Sequence, residues 1–122
     1  MPGVKYVNQG GKSILLMDFV GMSDYRDLPN LIDESIRLVQ AAKVRDSILA
    51  LVDLSKTRIS REVISSLRRL SRNNGPFIRA IAFVGLSTPW SLLFSLLFRA
   101  GGERNHKVIH ERGQALLWLV QQ

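Results

Sequence analysis

The longest uncharged stretch of this chain runs from Ala80 to Phe98 and lies between two arginines. A helix that spans a membrane needs about 20 mainly apolar residues without interruption. Ser87, Thr88 and Pro89 interrupt the stretch, because a hydroxyl residue followed by proline typically begins a helix. The stretch therefore divides into a strand and a helix that are each too short to span a bilayer, and we predict a soluble α/β domain.

The composition fits one domain with a single core over residues 1–122. Hydrophobic residues make up 46% of the chain, which excludes a disordered protein. The chain has no cysteine, so disulfides, thiolate metal sites and a cysteine nucleophile are all excluded. The first residues lack the apolar core of a secretory signal. Together these features favour a cytoplasmic protein.

The net charge of +7 is unevenly distributed along the chain. Residues 1–47 hold six basic and six acidic side chains, so the remaining residues carry the whole excess of the 17 basic over the 10 acidic residues. Such an asymmetry indicates either an anionic partner, such as nucleic acid, a membrane surface or an acidic protein, or a solvated face that keeps the domain in solution.

Apolar runs alternate with segments of helical periodicity along the chain. The predicted strands cover Lys5–Asn8, Lys12–Phe19, Ser47–Leu54, Phe77–Gly85 and Lys107–His110. The predicted helices cover Asp27–Ala42, Ser60 to about Asn73, Pro89–Arg99 and Gly113–Val120. This alternation predicts right-handed β-α-β units, with mostly parallel strands and a hairpin at one edge of the sheet.

Four segments in this order resemble the SpoIIAA-like proteins, relatives of the STAS domain of sulfate transporters and anti-sigma-factor antagonists. They are Ile14–Gly21 (ILLMDFVG), Leu51–Ser55 (LVDLS), Asn73–Gly85 (NNGPFIRAIAFVG) and Ala115–Leu119. The resemblance covers the chain from about Gly11. It implies a four- or five-stranded, mostly parallel sheet with an N-terminal hairpin strand and about four helices, in a family whose members mostly lack an assigned activity. A class of lipid carriers shares this fold, but a fold alone does not transfer a function.

The resemblance draws attention to the segment that follows the strand ending at Asp53. In anti-sigma-factor antagonists an aspartate ends a core strand, and the phosphorylated serine lies two residues later, an offset that Asp53 and Ser55 match. This implies a phosphate acceptor in a loop that also contains Thr57 and leads to the helix cap Ser60. Lys56 stands where those proteins have glycine. The alternative is that Asp53 and Ser55 only hydrogen-bond the turn after the strand.

The second predicted helix carries four arginines, Arg61, Arg68, Arg69 and Arg72. Because the planar guanidinium group suits phosphate and carboxylate, this helix is the candidate face for an anionic partner. Nucleic acid is the less favoured partner, since no aromatic side chains for base stacking lie among these arginines. The alternative is the ordinary polar outer face of an amphipathic helix.

The third predicted helix is apolar nearly all round, with Trp90, Phe94 and Phe98 among its large side chains. A helix on one side of a sheet needs only one apolar stripe. The additional apolar side chains of this helix must contact another helix of the domain, a second subunit, a lipid or a membrane interface. We predict a homodimer, and the alternative is an apolar ligand held by these three residues.

Other apparent motifs do not support catalysis or metal binding. Gly11, Lys12 and Ser13 resemble the end of a phosphate-binding loop, but they lead into a strand rather than a helix. His106 and His110 would lie about 13 Å apart in a strand, too far for one metal ion. We therefore predict no catalytic residues, no metal and no cofactor. The expected function is that of a non-catalytic STAS-like interaction domain, and the alternative is a lipid carrier or a peripheral membrane protein.

Overall fold

The computed structural model describes residues 3–21, 27–42, 44–57, 59–86 and 105–122, in which five strands form one sheet. The strands lie side by side in chain order, as β1 (Gly3–Gln9), β2 (Lys12–Asp18), β3 (Ile48–Asp53), β4 (Ile78–Val84) and β5 (His106–Ile109). β1 is antiparallel to β2, and the other neighbours are parallel. The predicted mostly parallel sheet with a hairpin strand at its edge is therefore confirmed, with five strands.

A two-residue turn, Gly10 and Gly11, joins β1 to β2. Both glycines have left-handed backbone, with φ of +56° and +79°. Two consecutive positive φ angles suit the tight turn of a twisted hairpin, and glycine adopts them without a steric penalty. Gln9 therefore pairs directly with Lys12, and this sets the register of the whole hairpin.

β3 lies at the centre of the sheet and is buried along its whole length. Its side chains alternate between the two faces. Ile48, Ala50 and Val52 pack in one hydrophobic cluster, and Leu49 and Leu51 pack in another. The continuous apolar run of this strand thus reflects a sheet that is covered on both sides.

Two helices cover the first face, α1 (Leu28–Ala42) and α2 (Arg61–Asn74), and α3 (Arg112–Val120) covers the second. Ser35 lies on the apolar side of α1 and is fully buried, and its hydroxyl donates to the carbonyl of Leu31 at 3.0 Å. That bond satisfies a polar group that burial would otherwise leave unpaired. All five predicted strands and three of the predicted helices match these elements to within two residues at each end.

The uncharged stretch of the sequence is described only in its first part. Residues Ala80–Val84 belong to β4 and are buried. The chain is then described as far as Leu86. The predicted helix Pro89–Arg99, with Trp90, lies outside the described residues. No helix within the described ranges is long and apolar enough to cross a membrane.

Candidate functional site

Two aspartates lie side by side where parallel strands end. Asp18 is the last residue of β2, Asp53 is the last residue of β3, and the two are partners in the strand register. Segments that follow parallel strands meet at the same edge of a sheet, which is where open α/β sheets commonly bind ligands. This edge is therefore the candidate functional site.

Each of the two aspartates binds the backbone two residues further along. Asp18 Oδ1 accepts a hydrogen bond from the amide of Val20 at 3.1 Å, and Asp53 Oδ1 accepts one from the amide of Ser55 at 2.9 Å. Aspartates commonly order a turn in this way. The same local geometry therefore begins the loops after both strands.

The second oxygen of each carboxylate faces Arg112. Arg112 donates from Nε to Asp53 Oδ2 at 2.8 Å. Its Nη2 lies 3.2 Å from Asp18 Oδ2. Arg112 is the first residue of α3, where the helix dipole disfavours a cation. The two carboxylates compensate for this unfavourable interaction with the helix dipole. One guanidinium group therefore joins α3 to the ends of β2 and β3.

The charges of this cluster stabilise each other. Burial by itself would raise the pKa of Asp53, but hydrogen bonds from the hydroxyl and amide of Ser55 and the nearby guanidinium of Arg112 lower that pKa below its usual value. Burial likewise disfavours the charged form of Arg112, but hydrogen bonds and attraction from Asp53 and Asp18 raise the pKa of Arg112. Both groups therefore remain charged at neutral pH.

The contacts of Asp53 limit its chemistry. A carboxylate with a lowered pKa is a weak general base at neutral pH, and Asp53 already accepts hydrogen bonds from Ser55 and Arg112. Within the described part of the chain, no three histidine, aspartate or glutamate side chains lie close enough together to hold a metal ion. The cluster is instead suited to holding a loop in one conformation.

The loop of residues 54–57, here called the strand-end loop, is held by contacts on both sides. The amide of Leu54 donates to the carbonyl of Val84, the last residue of β4, at 2.9 Å. On the side of β2, the amide of Gly21 donates to the carbonyl of Ser55 at 2.9 Å, and the Thr57 hydroxyl donates to the carbonyl of Phe19. The strand-end loop is therefore fixed against both neighbouring strands.

Gly85 allows the strand-end loop to lie this close to the end of β4. A Cβ atom at Gly85 would lie 2.5 Å from both the backbone nitrogen and the Cα of Ser55. The φ angle of Gly85 is +85°, which side-chain-bearing residues rarely adopt. Both the close approach and the backbone conformation therefore require glycine at this position.

Lys56 departs from the antagonist pattern in residue type but adopts the backbone conformation that suits glycine. Its φ angle is +59°, in the left-handed region. Its side chain is exposed, directly after the partly buried Ser55. Lys56 therefore places a cation at the tip of the loop.

Four of the predicted site residues lie in the segment that follows β3 and at the start of α2. Asp53, Ser55 and Thr57 belong to the ordered edge just described, and Ser60 caps α2 by accepting a hydrogen bond from the amide of Val63 at 3.3 Å. The apolar residues Trp90, Phe94 and Phe98 lie outside the described residues, so their predicted role as an interface remains a prediction.

The four arginines of α2 do not form a single face. Arg69 points toward α1, where it forms an ion pair of 2.7 Å with Asp33. Arg61, Arg68 and Arg72 are exposed, and they form no ion pair with any residue that the structure describes. Their spacing along the helix places these three on one line, here called the basic stripe.

Sequence reasoning did not identify Asp18, Gly85 or Arg112 as site residues. A signal for Asp18 was present, because the runs ending at Asp18 and Asp53 are both apolar and both end in aspartate. Aspartates that end neighbouring parallel strands are expected to meet at one edge. No local signal marked Arg112, which lies 59 residues from Asp53.

The comparisons with known proteins point to the same fold. No protein-family model matches the chain, and no curated protein matches it. A crystal structure from Shewanella loihica PV-4, of an uncharacterized protein from the DUF3478 family with a SpoIIAA-like fold, superposes with a TM-score of 0.71. It covers 98% of this chain and 95% of the other, at 18% sequence identity. At that identity the similarity shows the fold, and the chain has a SpoIIAA-like fold.

Proposed function

We propose that this protein is a non-catalytic, cytoplasmic, STAS-like domain that acts by binding another protein. Its recognition face comprises the strand-end loop and the basic stripe of Arg61, Arg68 and Arg72. The observation that carries this proposal is the difference between the arginines of one helix. Arg69 is neutralised by Asp33, whereas the basic stripe is exposed without an acidic partner among the described residues. Three guanidinium groups in line suit carboxylates on a partner surface.

The fixed conformation of the strand-end loop supports the same proposal. A loop that is already held in one conformation loses little entropy when it binds, so preorganisation favours affinity. The loop leads to Ser60 at the start of α2, and its residue Lys56 is an exposed cation. A partner with an acidic surface would contact both parts together.

Ser55 is the proposed point of regulation. A phosphate there would add about −1.5 to −2 charges next to Asp53 and would compete with that carboxylate for Arg112. The modification would alter the charge of the recognition face. Intact-mass measurement on protein purified from its native cells tests this part. A phosphate found only at other residues, or none under any growth condition, contradicts the regulatory role.

A photo-crosslinking residue tests the recognition face directly. Ser65 is exposed and lies between Arg61 and Arg68 on the basic stripe, so a crosslinker at position 65 is expected to capture one discrete partner in native cells. A crosslinker at Tyr6, exposed on the edge strand β1, is the control and is expected to give no such product.

A charge-reversal series distinguishes a specific contact from general attraction to acidic proteins. The triple variant Arg61→Glu/Arg68→Glu/Arg72→Glu is expected to abolish the crosslinked product. The variant Lys5→Glu/Lys12→Glu/Arg37→Glu has the same net charge and reverses exposed residues elsewhere, so it is expected to retain the product. Equal loss in both variants would show that only the net charge matters and would refute the proposed face.

A further inference from the structure

Lys56 has a backbone conformation that its residue type does not favour. Leu54 and Thr57 are the ends of a four-residue turn, in which the amide of Thr57 donates to the carbonyl of Leu54 at 3.0 Å. Lys56 is the third residue of this turn, and its φ angle is +59°. Turns with a positive φ angle at the third position favour glycine or asparagine there. The left-handed conformation is unfavourable for lysine, because its Cβ atom crowds the following carbonyl oxygen.

The loop after β2 provides an internal comparison. Gly21 lies three residues after Asp18. Lys56 lies three residues after Asp53, and each aspartate accepts a hydrogen bond from the amide two residues later. The φ angle of Gly21 is +66°, close to that of Lys56. The two loops therefore have a left-handed residue at the same position, which is glycine in one loop and lysine in the other.

The side chain of Lys56 does not stabilise the folded domain through an ion pair. It is exposed and pairs with no acidic side chain in the described part of the chain. The other described residue that has a positive φ angle without being glycine is Asp46. Aspartate tolerates this conformation because its short polar side chain can hydrogen-bond the local backbone, which lysine cannot do. Residues held in unfavourable conformations occur preferentially at functional sites.

We propose that Lys56 is a dedicated contact for a carboxylate group of the protein partner, retained although glycine at this position would make the folded domain more stable. This inference rests on the proposed function and identifies the residue through which the strand-end loop binds. The loop is hydrogen-bonded to both neighbouring strands, so the backbone of Lys56 is already fixed before binding. Such preorganisation reduces the entropy that is lost when the partner binds.

Two neutral substitutions separate the backbone conformation from the charge. Lys56→Gly removes both the unfavourable conformation and the cation, whereas Lys56→Gln removes the cation alone. Thermal denaturation is expected to give a melting temperature about 2–5 °C higher for Lys56→Gly than for Lys56→Gln, after allowance for the greater chain entropy of glycine. Equal melting temperatures, or a lower one for Lys56→Gly, would overturn the inference whether or not a partner is found.

Gly21→Gln is the reciprocal substitution in the neighbouring loop. A Cβ atom at Gly21 would meet nothing within 4 Å, so the φ angle is the only obstacle to a side chain there. The melting temperature is expected to fall by a similar amount, about 2–5 °C, because glutamine would have to adopt the left-handed conformation. An unchanged melting temperature would show that this conformation has no effect on stability and would likewise overturn the inference.

The binding role of Lys56 is measured with a defined acidic probe, the peptide hexaglutamate, by NMR on isotopically labelled protein. Low ionic strength is used because salt screens exposed charges. Lys56→Gly and Lys56→Gln are each expected to bind the peptide about two- to fivefold more weakly than the unaltered protein, the range for an exposed ion pair. Lys56→Arg keeps the cation and is expected to bind as the unaltered protein does. Lys5→Gln removes an exposed cation on β1 and is the control for net charge, with unchanged binding expected.

The outcomes distinguish this inference from the proposed function. Equal affinities in Lys56→Gln and Lys5→Gln would overturn the role of Lys56 and leave the basic stripe as the recognition face. Weaker binding by the neutral Lys56 variants, with unchanged binding by Arg61→Glu/Arg68→Glu/Arg72→Glu, would support Lys56 and refute the basic stripe. No saturable binding of hexaglutamate by the unaltered protein would overturn both.

Discussion

Arg112 and Asp53 lie 59 residues apart in the chain, and the Nε of the arginine donates to Oδ2 of the aspartate at 2.8 Å. The aspartate ends the central strand, and the arginine begins the helix that covers the second face of the sheet. Their hydrogen bond therefore fixes the edge of the sheet and the position of α3 at once. The same guanidinium group reaches Asp18, so the ends of two strands share one cation.

Arg112→Ala is expected to destabilise the protein by about 1.5–3 kcal/mol, the range for losing hydrogen bonds to a charged group. The substitution leaves the buried carboxylate of Asp53 without its cation. Chemical denaturation measures the free energy of unfolding. Arg72→Ala is the control, because Arg72 is exposed, and it is expected to change that free energy by less than about 0.5 kcal/mol. Equal effects of the two substitutions would contradict the structural role of Arg112.

The free energy of unfolding is expected to fall as the pH drops below about 4, the pKa of an aspartate in an unfolded chain. Because the pKa of Asp53 is lowered in the folded state, its stabilising contribution is present above the unfolded pKa and is lost as the pH falls through the folded pKa. Asp53→Asn removes this titration, so the acid-induced loss of stability should become smaller. Asp33→Asn, at an exposed ion pair, serves as the control. An identical pH dependence in all three proteins would refute the assignment.

Gly85→Ala is expected to destabilise the protein by about 2–3 kcal/mol. The new Cβ would overlap the backbone of Ser55, and alanine would have to adopt a positive φ angle. Gly113→Ala is the matched control, because a Cβ there would meet nothing within 4 Å and the residue lies inside α3. That control should raise the stability by about 0.5–1 kcal/mol through helix propensity. Thermal denaturation of both variants distinguishes a local steric conflict from a general effect of replacing glycine.

The predicted homodimer depends on the apolar helix that the sequence places at Pro89–Arg99. If that helix forms the subunit interface, Trp90→Asp combined with Phe94→Asp should convert a dimer into a monomer. Each subunit would bury two aspartate charges without a counter-charge, which is strongly unfavourable. Analytical ultracentrifugation measures the change in sedimentation coefficient. Leu117→Asp, at a side chain that is 58% exposed on α3, is the control and should leave the coefficient unchanged. A monomer before any substitution would exclude the homodimer.

Hydrophobic pattern and turn chemistry were sufficient to predict most of the fold. The continuous apolar run Ser47–Leu54 corresponds to the central strand β3, and the Gly10–Gly11 pair corresponds to the hairpin turn. These features could be recognised because the spacing of apolar residues and the backbone freedom of glycine are local properties. Ser60 was predicted as a helix cap for the same reason.

The composition of the site depends on contacts between distant segments. The helical spacing of the arginines could be recognised from the sequence. Only the packing of α1 against α2 brings Asp33 into an ion pair with Arg69 and leaves the basic stripe exposed. Likewise, Asp53 and Ser55 were visible as a motif in the chain, whereas the partnership with Arg112 forms only after α3 packs on the second face of the sheet. Local patterns thus predict strands, helices and turns, because these depend on neighbouring residues. Which charges are neutralised and which remain available for a partner depends on tertiary packing.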